Sequence, residues 1–270
     1  QNNVQGACDV GGLPNVYPGY QSVMDEAVRE KMAAFYGVEQ PPPKVGLTVT
    51  EMLQAAYDGQ VRALVFMGEN PAMSDPDTHH VLTCLERAEF LVCQDIFLNE
   101  TTEYADVVLP AAAYAEKDGT FTSTERRIQR VRKALDPPGE ARTDWEIICA
   151  LAQRLGAPGW DYADASAIMD EIARVTPIYG GVAYDRLDGE GLQWPCPTRD
   201  HPGTPILHVD RFPRGPQHRG RFSPVHHQPA AELPNAEYPL MLTTGRILQH
   251  WHTRTMTGRV GGLEFLAPEE

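Results

Sequence analysis

Three stretches of this 270-residue chain place polar side chains directly behind apolar, strand-like runs. Residues 61–67 (VRALVFM) lead into Gly68-Glu69-Asn70-Pro71, residues 90–93 (FLVC) run into Gln94-Asp95, and residues 105–109 (ADVVL) end at Pro110. Amides, carboxylates and backbone N–H groups at such places suit a polar ligand, because open parallel sheets take ligands outside the carboxyl ends of their strands. That rule points to residues 68–74, 94–96 and 110–113 together. None of these loops is a G-x-G-x-x-G or a Walker loop, so they lack the two commonest nucleotide motifs. Asp144 adds a carboxylate in the first turn of a helix. Its charge suits the helix dipole there, and it is equally placed to accept hydrogen bonds from a ligand.

Other reactive side chains are less tellingly spaced. Cys8, Cys84, Cys93, Cys149 and Cys196 form no C-x-x-C pair, which points to free thiols of a reducing compartment rather than iron–sulfur, zinc or redox ligands. His201, His208, His218, His226 and His227 share a basic, Pro/Gly-rich stretch that matches no compact metal motif and reads as a solvated loop. Arg126, Arg127, Arg130 and Arg132 crowd one expected strand of an otherwise acidic chain. A salt-bridged strand and a contact for an anionic cofactor or partner subunit are both open readings. Thr244-Gly245-Arg246 precedes Gln249-His250-Trp251-His252-Thr253, whose spacing departs from simple strand alternation.

Elements must hold these residues in place. A helical apolar period covers residues 22–37, with Val23, Ala27, Met32 and Phe35 as buried candidates and Gly37 as the stop. Thr48-x-x-Glu51 and Thr143-x-x-Glu146 are capping boxes that open helices running to Gly59 and Gly156. Further helices are expected over residues 78–87 and 164–175. Apolar strands alternating with helix-length segments predict an α/β fold with a parallel sheet covered on both faces. Residues 116–132 read as a hairpin turning at Asp118-Gly119, residues 238–243 (YPLMLT) as a strand, and residues 1–20 as an irregular loop.

The chain carries 37 acidic and 23 basic side chains, a net charge of −14. Such a surface repels phosphate backbones and anionic lipid, so neither nucleic acid nor membrane is an expected partner. No apolar run reaches the roughly 18 residues of a membrane span.

Several separated segments belong together: QNNVQGACDVGGLPNVYPGYQ, MGENPAMSDPD, VCQDIFLNETTEYADVVLPAAAYAEKDGTFTSTERRIQRV, GEARTDWEII, GLQWPCP and LTTGRILQHWHTRTMT. In that order and at these separations they resemble the catalytic subunit of molybdenum- or tungsten-dependent formate dehydrogenases, within the bis-molybdopterin guanine dinucleotide oxidoreductases. The ADVVLP and EKDGTFT segments mark the superfamily, and the QNNVQGACD opening narrows it to formate dehydrogenase.

The resemblance implies oxidation of formate to carbon dioxide, with electrons passing through a pterin and a four-iron four-sulfur cluster to an acceptor such as NAD. It implies iron–sulfur or flavin subunits as partners. It assigns cofactor contacts to Gln1, Asn70, Ser74, Gln94, Asp95, Ile96, Ala111 and Asp144, and to Arg246, Gln249, His250, His252 and Thr253 in the segment that closes over the cofactor. Some members carry aspartate at Asn70; the amide keeps one acceptor and loses the charge. The metal-binding cysteine or selenocysteine, the histidine after it, the cluster cysteines and the substrate arginine of the family would all precede Gln1. The chain therefore reads as a C-terminal part of a larger subunit, cut at both ends, inactive alone, with no catalytic or metal-binding residue of its own. The implied divisions are an α/β molybdopterin-binding lobe (1–113), a mixed α+β segment packing on an N-terminal lobe outside this sequence (114–205), a basic linker (206–232) and the start of a C-terminal dinucleotide-binding β-barrel (233–270). Thiol usage points to the cytoplasm. A nitrate reductase-like enzyme and a non-catalytic electron-transfer subunit of the same fold are the alternatives.

Overall fold

The computed structural model describes residues 3–212 and 216–268. In chain order the elements are α1 (Val4–Asp9), β1 (Val16–Tyr17), β2 (Gln21–Ser22), α2 (Glu26–Tyr36), α3 (Val49–Tyr57), β3 (Ala63–Met67), α4 (Pro71–Ser74), α5 (Thr78–Arg87), β4 (Phe90–Asp95), β5 (Val107–Pro110), β6 (Gly119–Thr122), β7 (Arg127–Val131), α6 (Asp144–Arg154), α7 (Ala165–Val175), β8 (Leu192–Gln193) and α8 (Gly261–Leu266). Short 3-10 turns join several of them. The chain divides into two compact units, Gln1–Pro205 and Ile206–Glu270.

Strands β3, β4 and β5 form a parallel sheet in that order, with Val65, Val92 and Val107 in one register row. Side chains alternate across a strand, so each strand offers two faces. On one face Leu64, Leu91 and Cys93 pack against Leu53 and Ala56 of α3 and Val81, Cys84 and Leu85 of α5. The opposite face carries Val65, Met67, Phe90 and Val107, all exposed. The expected cover is thus present on one side only among the described residues. The helices start where local chemistry demands it. Glu51 closes the capping box on Thr48, and those hydrogen bonds hold its carboxyl below the usual carboxylate range. Asp77 caps α5 by accepting from the His80 N–H.

A second, antiparallel sheet joins β6, β7 and β8. Its core combines Ile128, Leu192 and Cys196 with Met169 of α7 and with Tyr179, Val182 and Leu187. The hairpin turns at residues 123–126 rather than at Asp118-Gly119, and Gly119 is the first residue of β6. Arg126 closes the turn at φ +69° and is fixed there by bonds from its guanidinium to the carbonyls of Trp194, Thr204 and Pro205. Tertiary anchoring thereby overrides the stronger local turn signal.

Two more expectations fail. The opening segment contains a helix, α1, and a small antiparallel ribbon, β1–β2, instead of a plain loop. Residues 238–243 form no strand, and Tyr238, Leu240, Met241 and Leu242 are exposed. A strand persists only with a ladder partner, and no strand is found among the described residues of Ile206–Glu270. That unit accordingly shows no closed barrel.

Candidate functional site

The carboxyl end of the parallel sheet is built from four pieces of chain. At the end of β3, Gly68 takes a left-handed φ of +65°, which a residue with a Cβ adopts only with strain, and its N–H bonds the Gln94 carbonyl at 2.9 Å. The chain then turns into α4. Asn70 is buried, with its side chain committed inward: Nδ2 donates to Glu100 at 2.7 Å, while Oδ1 accepts from the Thr101 N–H at 3.2 Å and hydroxyl at 2.7 Å. Ser74 donates to the Asn70 carbonyl at 3.1 Å and to Asp75 at 3.2 Å.

At the end of β4, Gln94 is 3 % exposed and donates from Nε2 to Asp144 Oδ1 at 2.8 Å. Asp95 organises its own loop. It accepts from the N–H groups of Ile96 and Phe97 at 2.6 and 3.1 Å and from Asn99 Nδ2 at 3.0 Å. Ile96 lies exposed beside it. Partial desolvation raises the pKa of the Glu69 carboxyl, and Asp75 and Asp95 push it in the same direction.

The end of β5 explains how Asp144 arrives. Buried Ala111 forms a parallel bridge with Arg142, continued by bonds from Ala112 N–H to the Arg142 carbonyl (2.8 Å) and from Arg142 N–H to the Pro110 carbonyl (3.1 Å). This short ladder leads straight into the Thr143 capping box, so α6 begins at the sheet's edge with Asp144 facing Gln94. Lys117 forms an ion pair with the other carboxylate oxygen of Asp144, whose side chain is 39 % exposed. The result is an amide, a carboxylate and an ammonium side by side, able to give and take hydrogen bonds with a polar, partly anionic ligand.

The structure therefore joins Gln94 to Asp144, Asp95 to Ala111 through a backbone bond of 3.0 Å, and Asn70 to Ser74. Gln1 lies outside the described residues. Lys117, Arg142 and Thr101 escaped the sequence reading. Lys117 was visible as a cation before the hairpin, and Arg142 directly precedes a capping box, but neither carries a spacing signal. In the opening segment the amides of Asn3 and Gln5 turn inward: Asn3 Oδ1 accepts from the Thr122 N–H and Gln5 donates to Asp9.

The arginine cluster serves the fold. Arg127 pairs with Glu125, Arg130 with Asp118 and Asp188, and Arg132 with Asp188, while Arg130 also stacks on Tyr184 at 4.0 Å. All five cysteines are free. Burial, helped by Asp95, pushes the Cys93 thiol up to about 11, and burial raises Cys84 and Cys149 as well, which suits inert packing thiols. No group of three or more metal-ligating side chains is found among the described residues.

In the unit Ile206–Glu270, His250 is buried, with Nδ1 3.2 Å from the Thr257 hydroxyl and Nε2 2.7 Å from the Ala267 carbonyl. Glu264 stands 4.0 Å from Nε2 and pairs with Arg254. Gln249 is half-buried, whereas Arg246, His252 and Thr253 are exposed. The His252 ring packs 4.6 Å from that of Trp251. No described helix is long and apolar enough to cross a membrane.

The chain is 51 % identical over 260 residues to the F420-dependent formate dehydrogenase 2 subunit alpha of Methanococcus maripaludis, covering 96 % of this chain and 38 % of that protein. It is 52 % identical over 264 residues to the F420-dependent formate dehydrogenase subunit alpha of Methanocaldococcus jannaschii, covering 97 % and 38 %. It thus spans well under half the length of these curated relatives. A structural likeness to acetylene hydratase from Pelobacter acetylenicus covers 61 % of this chain and 23 % of that one, at 20 % identity and a TM-score of 0.46. The family model for molybdopterin oxidoreductases matches residues 1–154, more than half of the chain, and the chain belongs to that family.

Proposed function

We propose that this chain forms part of the catalytic subunit of a formate dehydrogenase and contributes to the cradle of its pterin cofactor. The observation that carries the reading is identity above 50 % across nearly the whole chain to two formate dehydrogenase alpha subunits. The cofactor is taken to be a bis-molybdopterin guanine dinucleotide with molybdenum or tungsten. Its metal–dithiolene group would supply the two-electron chemistry when bound.

The chain's own residues hold and orient. Asp144 fits a guanine base, since a carboxylate receives two adjacent N–H donors at once and this one is part-exposed at the sheet's end. Gln94 fixes its rotation, and Lys117 keeps a cation beside it for a phosphate oxygen. Asn70, Asp95 and Ala111 shape the loops through their inward bonds, with Ser74 and Ile96 on their outer side. By the family resemblance, Gln1, Arg246, Gln249, His250, His252 and Thr253 are proposed as further cofactor contacts.

An iron–sulfur cluster, where the enzyme has one, belongs to polypeptide outside these 270 residues, because the five cysteines lack cluster spacing. Between NAD and F420 as acceptor, the names of the two relatives favour F420, delivered through a partner subunit. The free thiols support a reducing, cytoplasmic setting.

The test uses the full-length protein. Acid extraction should release GMP, elemental analysis should find molybdenum or tungsten, and formate should reduce F420 in preference to NAD. Absence of both nucleotide and metal overturns the reading in favour of a non-catalytic subunit. Reduction of nitrate to nitrite by an added electron donor, with no oxidation of formate, moves it to another bis-pterin oxidoreductase.

A further inference from the structure

Strands β3, β4 and β5 are apolar on both faces, and only one face is covered. Residues 63–67, 90–93 and 107–109 (ALVFM, FLVC and VVL) are unbroken apolar runs, the pattern of a parallel sheet buried on both sides. By register, Phe66, Cys93 and Val108 point the same way as Leu64 and Leu91. Leu91 on that face is 1 % exposed beneath α3 and α5. The other face carries Phe90, then the row Val65, Val92 and Val107, then Met67 and Leu109. Val65 there is 63 % exposed, and Phe90, Met67 and Val107 are exposed with it.

The sheet's own connections cannot supply the missing layer. The path from β3 to β4 runs through α5, and the path from β4 to β5 runs through a 3-10 turn, Glu100–Tyr104. Helix α5, Tyr104 and Ala105 all pack on the covered side. A parallel sheet that winds in one direction with right-handed crossovers keeps every connection on one face. Three strands, with five residues in β3, make the open face about 14 by 17 Å, or about 240 Å². A stable contact between two protein copies takes about 800 Å² from each, so this face is too small to be a dimer interface by itself. It matches one helix of about three turns, which is about 16 Å long and about 10–12 Å across.

We propose that this face of the sheet seats an amphipathic helix from the same subunit's polypeptide, outside these 270 residues. The two formate dehydrogenase alpha subunits are far longer than this chain, which covers 38 % of each. A segment of the same polypeptide also meets the sheet one to one, as a single-helix seat requires. The occupant carries an apolar stripe at i, i+3, i+4 and i+7. It presents no charge at the centre of that stripe, because the rows from Phe90 to Leu109 hold only Gln94 as a polar side chain, and the Gln94 amide is given to Asp144. Gln94 also ends the face, so the helix lies directly behind the polar loops at the strand ends. The inference rests on the reading of this chain as part of a longer catalytic subunit.

The experiment uses the full-length protein, as wild type and with a photoreactive side chain in Val65→p-benzoylphenylalanine and Phe90→p-benzoylphenylalanine. Hydroxyl-radical footprinting of the wild type should oxidise Met67 and Phe90 at least about tenfold more slowly than in the same protein unfolded in urea, since covered groups react only through local opening. Irradiation of either variant should give a cross-link within one polypeptide, to a segment outside these residues that carries the apolar stripe. Oxidation of Met67 and Phe90 at the unfolded rate overturns the proposal, because the face is then open in the whole protein. A cross-link to a second copy, to a separate subunit or to another part of these residues overturns it too, and so does the absence of a cross-link in every variant that folds. If neither variant folds, the wild-type footprint decides. A natural polypeptide that extends no further than this chain, read from its intact mass, instead overturns the longer-subunit reading on which the inference rests.

Discussion

Around the parallel sheet, Leu53, Leu64, Val81, Leu85 and Leu91 meet as a purely apolar layer, and polar side chains are buried only at the strand ends, in Asn70, Gln94 and Thr101. Around the antiparallel sheet, Ile128, Met169 and Leu187 share the interior with Tyr179, Asp9, Thr122, Thr176 and Gln193. The first region is held by burial, which has no direction and leaves its ends free to be shaped for a ligand. The second is held by hydrogen bonds and ion pairs whose lengths and angles admit one arrangement. A sheet that must present loops and a scaffold that must hold a helix in register thus use different forces.

That contrast can be broken most sharply at the apolar layer. Leu85→Ala should cost about 3 kcal/mol of stability, the usual range for a leucine cavity being roughly 2–5 kcal/mol. Urea unfolding reads it, and a loss below about 1 kcal/mol would mean that this layer is not the main support. In the bonded region, Tyr179→Phe removes a single oxygen and leaves one side of Asp9 unpaired. About 1–3 kcal/mol is expected for stranding a buried polar group. A neutral Tyr179→Phe would make the second region as forgiving as the first.

At the strand ends the comparison predicts a separation of fold from binding. The Lys117–Asp144 pair is partly exposed, so Asp144→Asn should change stability by no more than about 1 kcal/mol, while GMP retained by the full-length protein falls clearly. Equal GMP in both proteins would remove Asp144 from the nucleotide site. The smallest effect belongs to Glu69. Its carboxyl has a raised pKa in the fold, so its favourable contribution is present in acid and is lost as pH rises through that raised value. Glu69→Gln should therefore match the native protein in acid and become the more stable of the two as pH rises through that raised pKa. A native protein that gains on the variant with rising pH would reverse the sign.

How much of this was legible depended on range. Helix α5 spans the residues its periodicity indicated, and both capping boxes start helices where Thr48 and Thr143 stand, because those signals act over three or four residues. The polar strand ends themselves were legible, since polar residues follow apolar runs directly. The partners there were not. Gln94 and Asp144 are fifty positions apart in sequence, and only the Ala111–Arg142 ladder brings them together. Asn70 read as a residue aimed at a ligand, yet Glu100 and Thr101 hold it inward across thirty residues of chain. Helix α1 has poor intrinsic propensity, with Gly6 in its middle, and exists through contacts no local pattern encodes. The apolar run at 238–243 had the opposite problem, with strong local preference and no neighbouring strand to pair with.

The two long-range ties of α1, Asn3 to Thr122 and Asp9 to Tyr179, also bear on the order of assembly. The Asn3–Thr122 bond spans 119 positions and the Asp9–Tyr179 bond spans 170. Closing loops of that size is entropically late, since distant contacts reward the chain only after nearer ones have formed. The hairpin β6–β7 and the turn at Tyr179 must exist before α1 has anything to hold. The helix that leaves the ribosome first in this stretch is thus the last to settle, and pulsed hydrogen exchange during refolding should find its amides protected after those of α5 and β7.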